Sequence, residues 1–109
     1  MLDEQTFQRR ADEALAGLHL ALAKASDQHD FDADFRAGAL VIEFEDPPAK
    51  FVVSPNSPVR QLWVSAHSKS FKLDWDEAAG AFLLPATGES LHELIAGAIS
   101  RQLGEEVTL

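Results

Sequence analysis

The hydrophobic period of this chain changes twice, and that change limits the fold more than any single motif. Phe7, Ala11, Ala14, Leu15, Leu18, Leu22 and Ala25 recur every three or four positions, the spacing of a helix with one apolar stripe. Between residues 31 and 84 the period falls to two, the signature of strands with one dry and one wet face. Leu91, Leu94, Ile95, Ala98, Ile99 and Leu103 then return to helical spacing. A helix at each end can bury its stripe only against the apolar face of the sheet between them. The expectation is an α+β two-layer sandwich in the order α-β-β-β-β-β-β-α. It would have five to six antiparallel strands, both helices on one face and the other face open to water. Residues 1–109 are read as one domain, a length that suits a single core.

Local signals set the expected boundaries. Asp3 or Thr6 can cap the first helix, with Asp3 and Glu4 near the positive end of its dipole. That helix should stop near Ser26. Phe31, Ala33 and Phe35 alternate with Asp32, Asp34 and Arg36, which predicts a first strand with those three apolar residues on the core. After the turn at Arg36-Ala37-Gly38, Leu40, Ile42 and Phe44 are predicted inside, with Val41, Glu43 and Glu45 outside. Glu45-Asp46-Pro47-Pro48 should break the second strand. The third is expected at Lys50–Val53, ended by Ser54-Pro55-Asn56-Ser57-Pro58. The fourth is expected at Val59–Ala66, the fifth at Phe71–Trp75 and a short sixth at Ala81–Leu84. Thr87 or Ser90 can cap the last helix, and Gly104 can close it in the left-handed conformation.

The chain has no cysteine, which removes disulfides, thiolate catalysis and any cysteine-ligated cluster. Its net charge is −9, and residues 1–46 carry eleven acids against four bases. Such a surface repels nucleic acid and anionic membrane and attracts cations or basic proteins. No apolar run approaches the roughly 18 residues that span a bilayer. The opening segment is charged and lacks the apolar core of a signal peptide, so a cytoplasmic location is expected.

The acids are the first candidates for chemistry. Asp30, Asp32 and Asp34 fall on one side of the first strand, roughly 7 Å apart by strand rise. Glu43 and Glu45 share that face if the second strand pairs in register. Glu4, Asp12 and His19 fall on the solvent side of the first helix. Carboxylates suit hard cations, but acids so widely spaced hold a hydrated ion by one or two ligands and form no closed cage. The alternative is a solvated strand face that blocks edge-to-edge aggregation. The histidines, at 19, 29, 67 and 92, form no pair at helical ligand spacing; His19 and His29 lie near acids. Trp63 is the other candidate. With Leu62 and Val64 on the core, alternation puts Gln61, Trp63 and Ser65 outside, and an exposed tryptophan is a common binding anchor. Trp75 is read as a core or rim residue of the fifth strand. No phosphate loop, nucleophile elbow or metalloprotease pattern is present.

These elements, in this order, resemble the bacterial frataxin family. Phe7-Gln8-Arg9-Arg10-Ala11-Asp12 is similar to the family's opening helix. Asp30-Phe31-Asp32-Ala33-Asp34-Phe35 resembles its acidic first strand, and Gly38-Ala39-Leu40-Val41-Ile42-Glu43-Phe44 its second. Gln61-Leu62-Trp63-Val64-Ser65 matches its tryptophan strand, and Thr87-Gly88-Glu89-Ser90-Leu91 the entry to its last helix. The resemblance departs at the end of the first helix, where the family is rich in acids and this chain has His19 to Ser26 with Lys24 among them.

What the resemblance implies is an iron-binding accessory of iron–sulfur cluster assembly. It implies weak binding of iron (Fe2+/Fe3+) along a ridge of Glu4, Asp12, Asp27, Asp30, Asp32, Asp34 and His19, with other divalent ions competing. It implies that Trp63, Gln61, Glu43, Asp30 and Asp32 meet a cysteine desulfurase and an iron–sulfur scaffold protein. It implies a monomer, with an iron-dependent oligomer as a variant, and no catalytic residue, although the family allows a weak ferroxidase-like activity. A competing reading is an acidic protein-interaction adaptor with no metal role.

Overall fold

The computed structural model describes residues 2–45 and 48–109. Helix α1 runs from Glu4 to Ala25 and helix α2 from Leu91 to Leu103. Between them lie β1 (Asp32–Arg36), β2 (Ala39–Glu45), β3 (Pro48–Asn56), β4 (Gln61–Ala66), β5 (Lys69–Asp76) and β6 (Ala81–Leu83). All six strands pair with their neighbours in chain order, antiparallel throughout. The sandwich expected from the hydrophobic period is the one observed.

Each helix begins where its cap chemistry puts it. Asp3 accepts the backbone N–H of Thr6 at 2.7 Å. That hydrogen bond is also the main reason its carboxyl sits below the ordinary value. At α2, Ser90 accepts from the Glu93 N–H at 3.2 Å while the Glu93 side chain accepts from the Ser90 N–H at 3.1 Å, a reciprocal pair that satisfies two end donors. Gly104 ends α2 at φ 70°, a conformation glycine adopts without steric cost.

The core lies between the helices and one face of the sheet. Phe7, Ala11, Leu15, Leu18 and Leu22 of α1 and Leu91, Leu94, Ile95 and Ile99 of α2 are buried. They meet Leu40, Ile42, Phe44, Phe51, Val53, Leu62, Val64, Leu73 and Phe82 from the strands. Burial of each of the larger side chains among these stabilises by roughly 1.5–3 kcal/mol. Strand β4 alternates most cleanly, with Leu62, Val64 and Ala66 buried and Trp63 and Ser65 exposed.

Several sequence expectations need correction. Phe35 is 49% exposed rather than buried. It lies near the end of edge strand β1, and its ring stacks on His19 of α1 at 4.9 Å, so it closes the seam between helix and sheet without reaching the core. Val41 is buried although it points to the open face, where Val52 stands opposite it on one side and Asp34 on the other. Strand β3 is longer than expected and runs through Ser54, Pro55 and Asn56. Pro55 is its penultimate residue, where the ladder is ending and a missing N–H costs least. The chain then makes a short 3-10 turn, Ser57–Val59, so β4 starts at Gln61 and leaves Val59 exposed. Strand β5 extends two residues earlier than expected, to Lys69, because His67 and Ser68 form a two-residue turn with φ 51° and 61°, the left-handed geometry that matches strand twist. The break expected at Asp46-Pro47 lies outside the described residues.

Candidate functional site: the open sheet face and its acidic edge

The face of the sheet away from the helices carries the residues that alternation assigned to it. On β4, Trp63 stands between Ser54 of β3 and Lys72 of β5. Its indole N–H donates to the Gln61 side-chain oxygen at 3.0 Å, and the Gln61 amide donates in turn to Asp74 at 3.0 Å. The Lys72 ammonium lies 5.0 Å from the Trp63 ring centre, within cation–π range. Trp63 is 37% exposed, so part of its surface stays open to solvent. A side chain held by both Gln61 and Lys72 loses little rotamer freedom when a partner covers it.

The acidic edge begins one strand pair away. Asp32 of β1 is directly opposite Glu43 of β2, and Glu43 is opposite Lys50 of β3. The register required for Asp32, Asp34 and Glu43 to share the open face is therefore present. Arg36 forms an ion pair with Glu43 and lies 4.0 Å from Asp34. Two cations thus sit among these acids, and the open face is less repulsive than the sequence alone implies. Asp27 and Asp30 are exposed in the loop from α1 to β1.

The remaining ridge residues do not join them. Glu4 is in the first turn of a helix of 22 residues and Asp27 lies just past its far end, so about 33 Å of helix separates them. Asp12 is exposed and accepts a hydrogen bond from Gln8 at 3.1 Å. His19 is half-buried against Phe35, not free on the solvent side. His29 pairs with Glu105 at 2.7 Å, which ties the loop to the segment after α2. Among the described residues, no three of His, Cys, Asp or Glu converge as a metal cluster. The donor chemistry fits a hard cation, and its spacing fits a hydrated ion on one or two carboxylates.

Lys72, Asp74 and Arg36 were not singled out by the sequence reading. The signal for the first two was the His67-Ser68 pair. A two-residue turn there sets Lys72 opposite Trp63 and Asp74 opposite Gln61, but neither residue is the usual glycine or asparagine of such a turn.

Comparison with known proteins agrees with this geometry. A family model described as a frataxin-like domain matches residues 1–105. The iron–sulfur cluster assembly protein CyaY of Azotobacter vinelandii is 41% identical over 78 residues, covering 72% of this chain and 70% of that one. Its namesake from Pseudomonas aeruginosa is 38% identical over 85 residues, covering 76% and 78%. A solved frataxin from Psychromonas ingrahamii superposes with a TM-score of 0.78 at 21% identity, covering 98% of this chain and 97% of that one. No helix among the described residues is long and apolar enough to cross a membrane.

Proposed function

The chain belongs to the frataxin-like family, and from that premise we propose that it is a non-enzymatic accessory of iron–sulfur cluster assembly. It acts in the cytoplasm on a cysteine desulfurase and its scaffold protein. The names of the CyaY relatives support the pathway. The observation that carries the mode of action is Trp63, an exposed aromatic braced by Gln61 and Lys72 on a sheet face that no helix covers. Such a side chain anchors a protein interface. Asp30, Asp32 and Glu43 at the margin steer a basic partner toward it, since rim charges act mainly on encounter.

Iron enters as a weakly held hydrated ion on the carboxylates from Asp27 to Asp34, which links iron supply to cluster assembly. Hard oxygen donors do not separate iron from manganese or calcium, so those ions compete. Titration of isotope-labelled protein with Fe2+ tests this. Signals from residues 27–34 should broaden first, and broadening centred on α2 would refute the assignment.

A second reading is an acidic adaptor without a metal role. It draws on Arg36 and Lys50, which already stand beside Glu43 and lessen the need for a cation. Desulfurase binding measured with and without a chelator separates the two. Binding that is insensitive to both chelator and added iron favours the adaptor.

A further inference from the structure

On the helix side, away from Trp63, a groove of about 280 Å3 opens between α2 and the β4–β5 hairpin. Phe71, Leu94 and Ala98 give it apolar walls, and Lys69, Arg101 and His67 line it as well. In a chain of net charge −9, that set of bases is a local reversal of sign. Among the described residues, neither Lys69 nor Arg101 has an ion-pair partner. The lining acid, Glu89, accepts a hydrogen bond from the Thr87 hydroxyl at 2.9 Å. His67 is held in place by its left-handed turn and by its ring contact with Phe51 at 5.0 Å.

Gly97 is the second, independent observation. It lies within helix α2 and lines the groove. Its φ is not in the left-handed region, and a Cβ built there meets nothing within 4 Å. Neither backbone geometry nor close packing requires glycine, although glycine weakens a helix interior relative to alanine. The physical effect of the missing side chain is that the groove stays open.

We propose that this groove binds a small organic carboxylate with an apolar body, such as a medium-chain fatty acid. The apolar part would lie over Gly97 against Phe71, Leu94 and Ala98, and the carboxylate would meet Arg101 and Lys69. Arginine suits this role because its planar fork matches a carboxylate. A groove of this volume falls just below the roughly 300–1,000 Å3 of drug-sized pockets, which limits the occupant to a small molecule. Because the groove and Trp63 lie on opposite faces of the sheet, occupancy is compatible with a partner on the open face.

The test is an NMR titration of isotope-labelled full chain with octanoate, alongside octan-1-ol and acetate. Octanoate should shift amides of residues 67–71 and 94–101, with a dissociation constant on the order of 0.1–1 mM for a ligand of this size. Octan-1-ol keeps the chain without the charge, and acetate the charge without the chain; both should bind at least about tenfold more weakly. Gly97→Leu should keep or raise the melting temperature, because its Cβ has space and leucine is the better helix former. The same variant should abolish the shifts. Lys69→Gln with Arg101→Gln should weaken binding about tenfold or more, the worth of one charge-assisted hydrogen bond. Octan-1-ol binding as tightly as octanoate would overturn the proposal, as would full binding by a folded Gly97→Leu protein or shifts centred on the Trp63 face.

Discussion

The two tryptophans stand on neighbouring parts of one sheet and serve opposite faces. Trp75 of β5 faces the helices, packs edge-on against Phe82 at 5.2 Å and has the Arg10 guanidinium 5.3 Å from its ring. Its indole N–H is buried with no hydrogen-bond partner among the described residues. Trp63 faces water, has its N–H bonded to Gln61 and stays 37% exposed. The helix-side residue accepts an unpaired donor because packing area outweighs one hydrogen bond. The open-side residue has its polar group satisfied and part of its apolar surface uncovered. Apolar surface left partly free while its polar atom is paired points to a docking role, and that contrast underlies the functional reading.

The widest expected gap is in stability. Trp75→Ala should cost about 2–3 kcal/mol, the lower part of the range for aromatic truncation, because the residue is only partly buried. Trp63→Ala should cost less than about 1 kcal/mol, as surface changes do. Thermal or denaturant unfolding of both variants checks this, and equal losses would break the contrast. Trp75→Phe sharpens it: removal of the unpaired N–H offsets part of the lost contact, leaving a net change of under about 1.5 kcal/mol.

Smaller effects are expected at the helix starts. Ser90→Ala removes half of the reciprocal cap on α2 and should cost about 1 kcal/mol in unfolding experiments. Asp3 gives the smallest effect, visible only in acid. Its folded carboxyl lies below the ordinary value of 3.8, so its contribution is present above that value and lost as pH falls through the folded one. Asp3→Asn should flatten the acid limb of the stability–pH curve and leave neutral stability nearly unchanged.

The sequence made the layers legible because period governs them: the stripe on α1, the stripe on α2 and the alternation in β4 each depend on near neighbours in the chain. It failed where a contact depends on chain ends or distant partners. Alternation placed Phe35 inside, but an edge strand has a neighbour on one side only, and α1 reaches it with His19 rather than with core residues. Alternation placed Val41 outside correctly, yet cross-strand neighbours bury it. The acidic first third was plain in composition, while its partial neutralisation by Arg36 required the β1–β2 register. Trp63 was legible as exposed; the Gln61–Asp74 support was not, because it hangs on a turn without the usual turn residues.

The central claim is that the open face holds a partner through Trp63 while the acidic edge only guides it there. Association and dissociation rates with a cysteine desulfurase, measured for Trp63→Ala and for Asp32→Lys at two salt concentrations, test it most directly. Trp63→Ala should raise the dissociation rate about thirtyfold, equivalent to about 2 kcal/mol, with little change in association. Asp32→Lys should slow association and flatten its salt dependence while dissociation stays near the wild-type rate. A folded Trp63→Ala protein that dissociates at the wild-type rate would contradict the account.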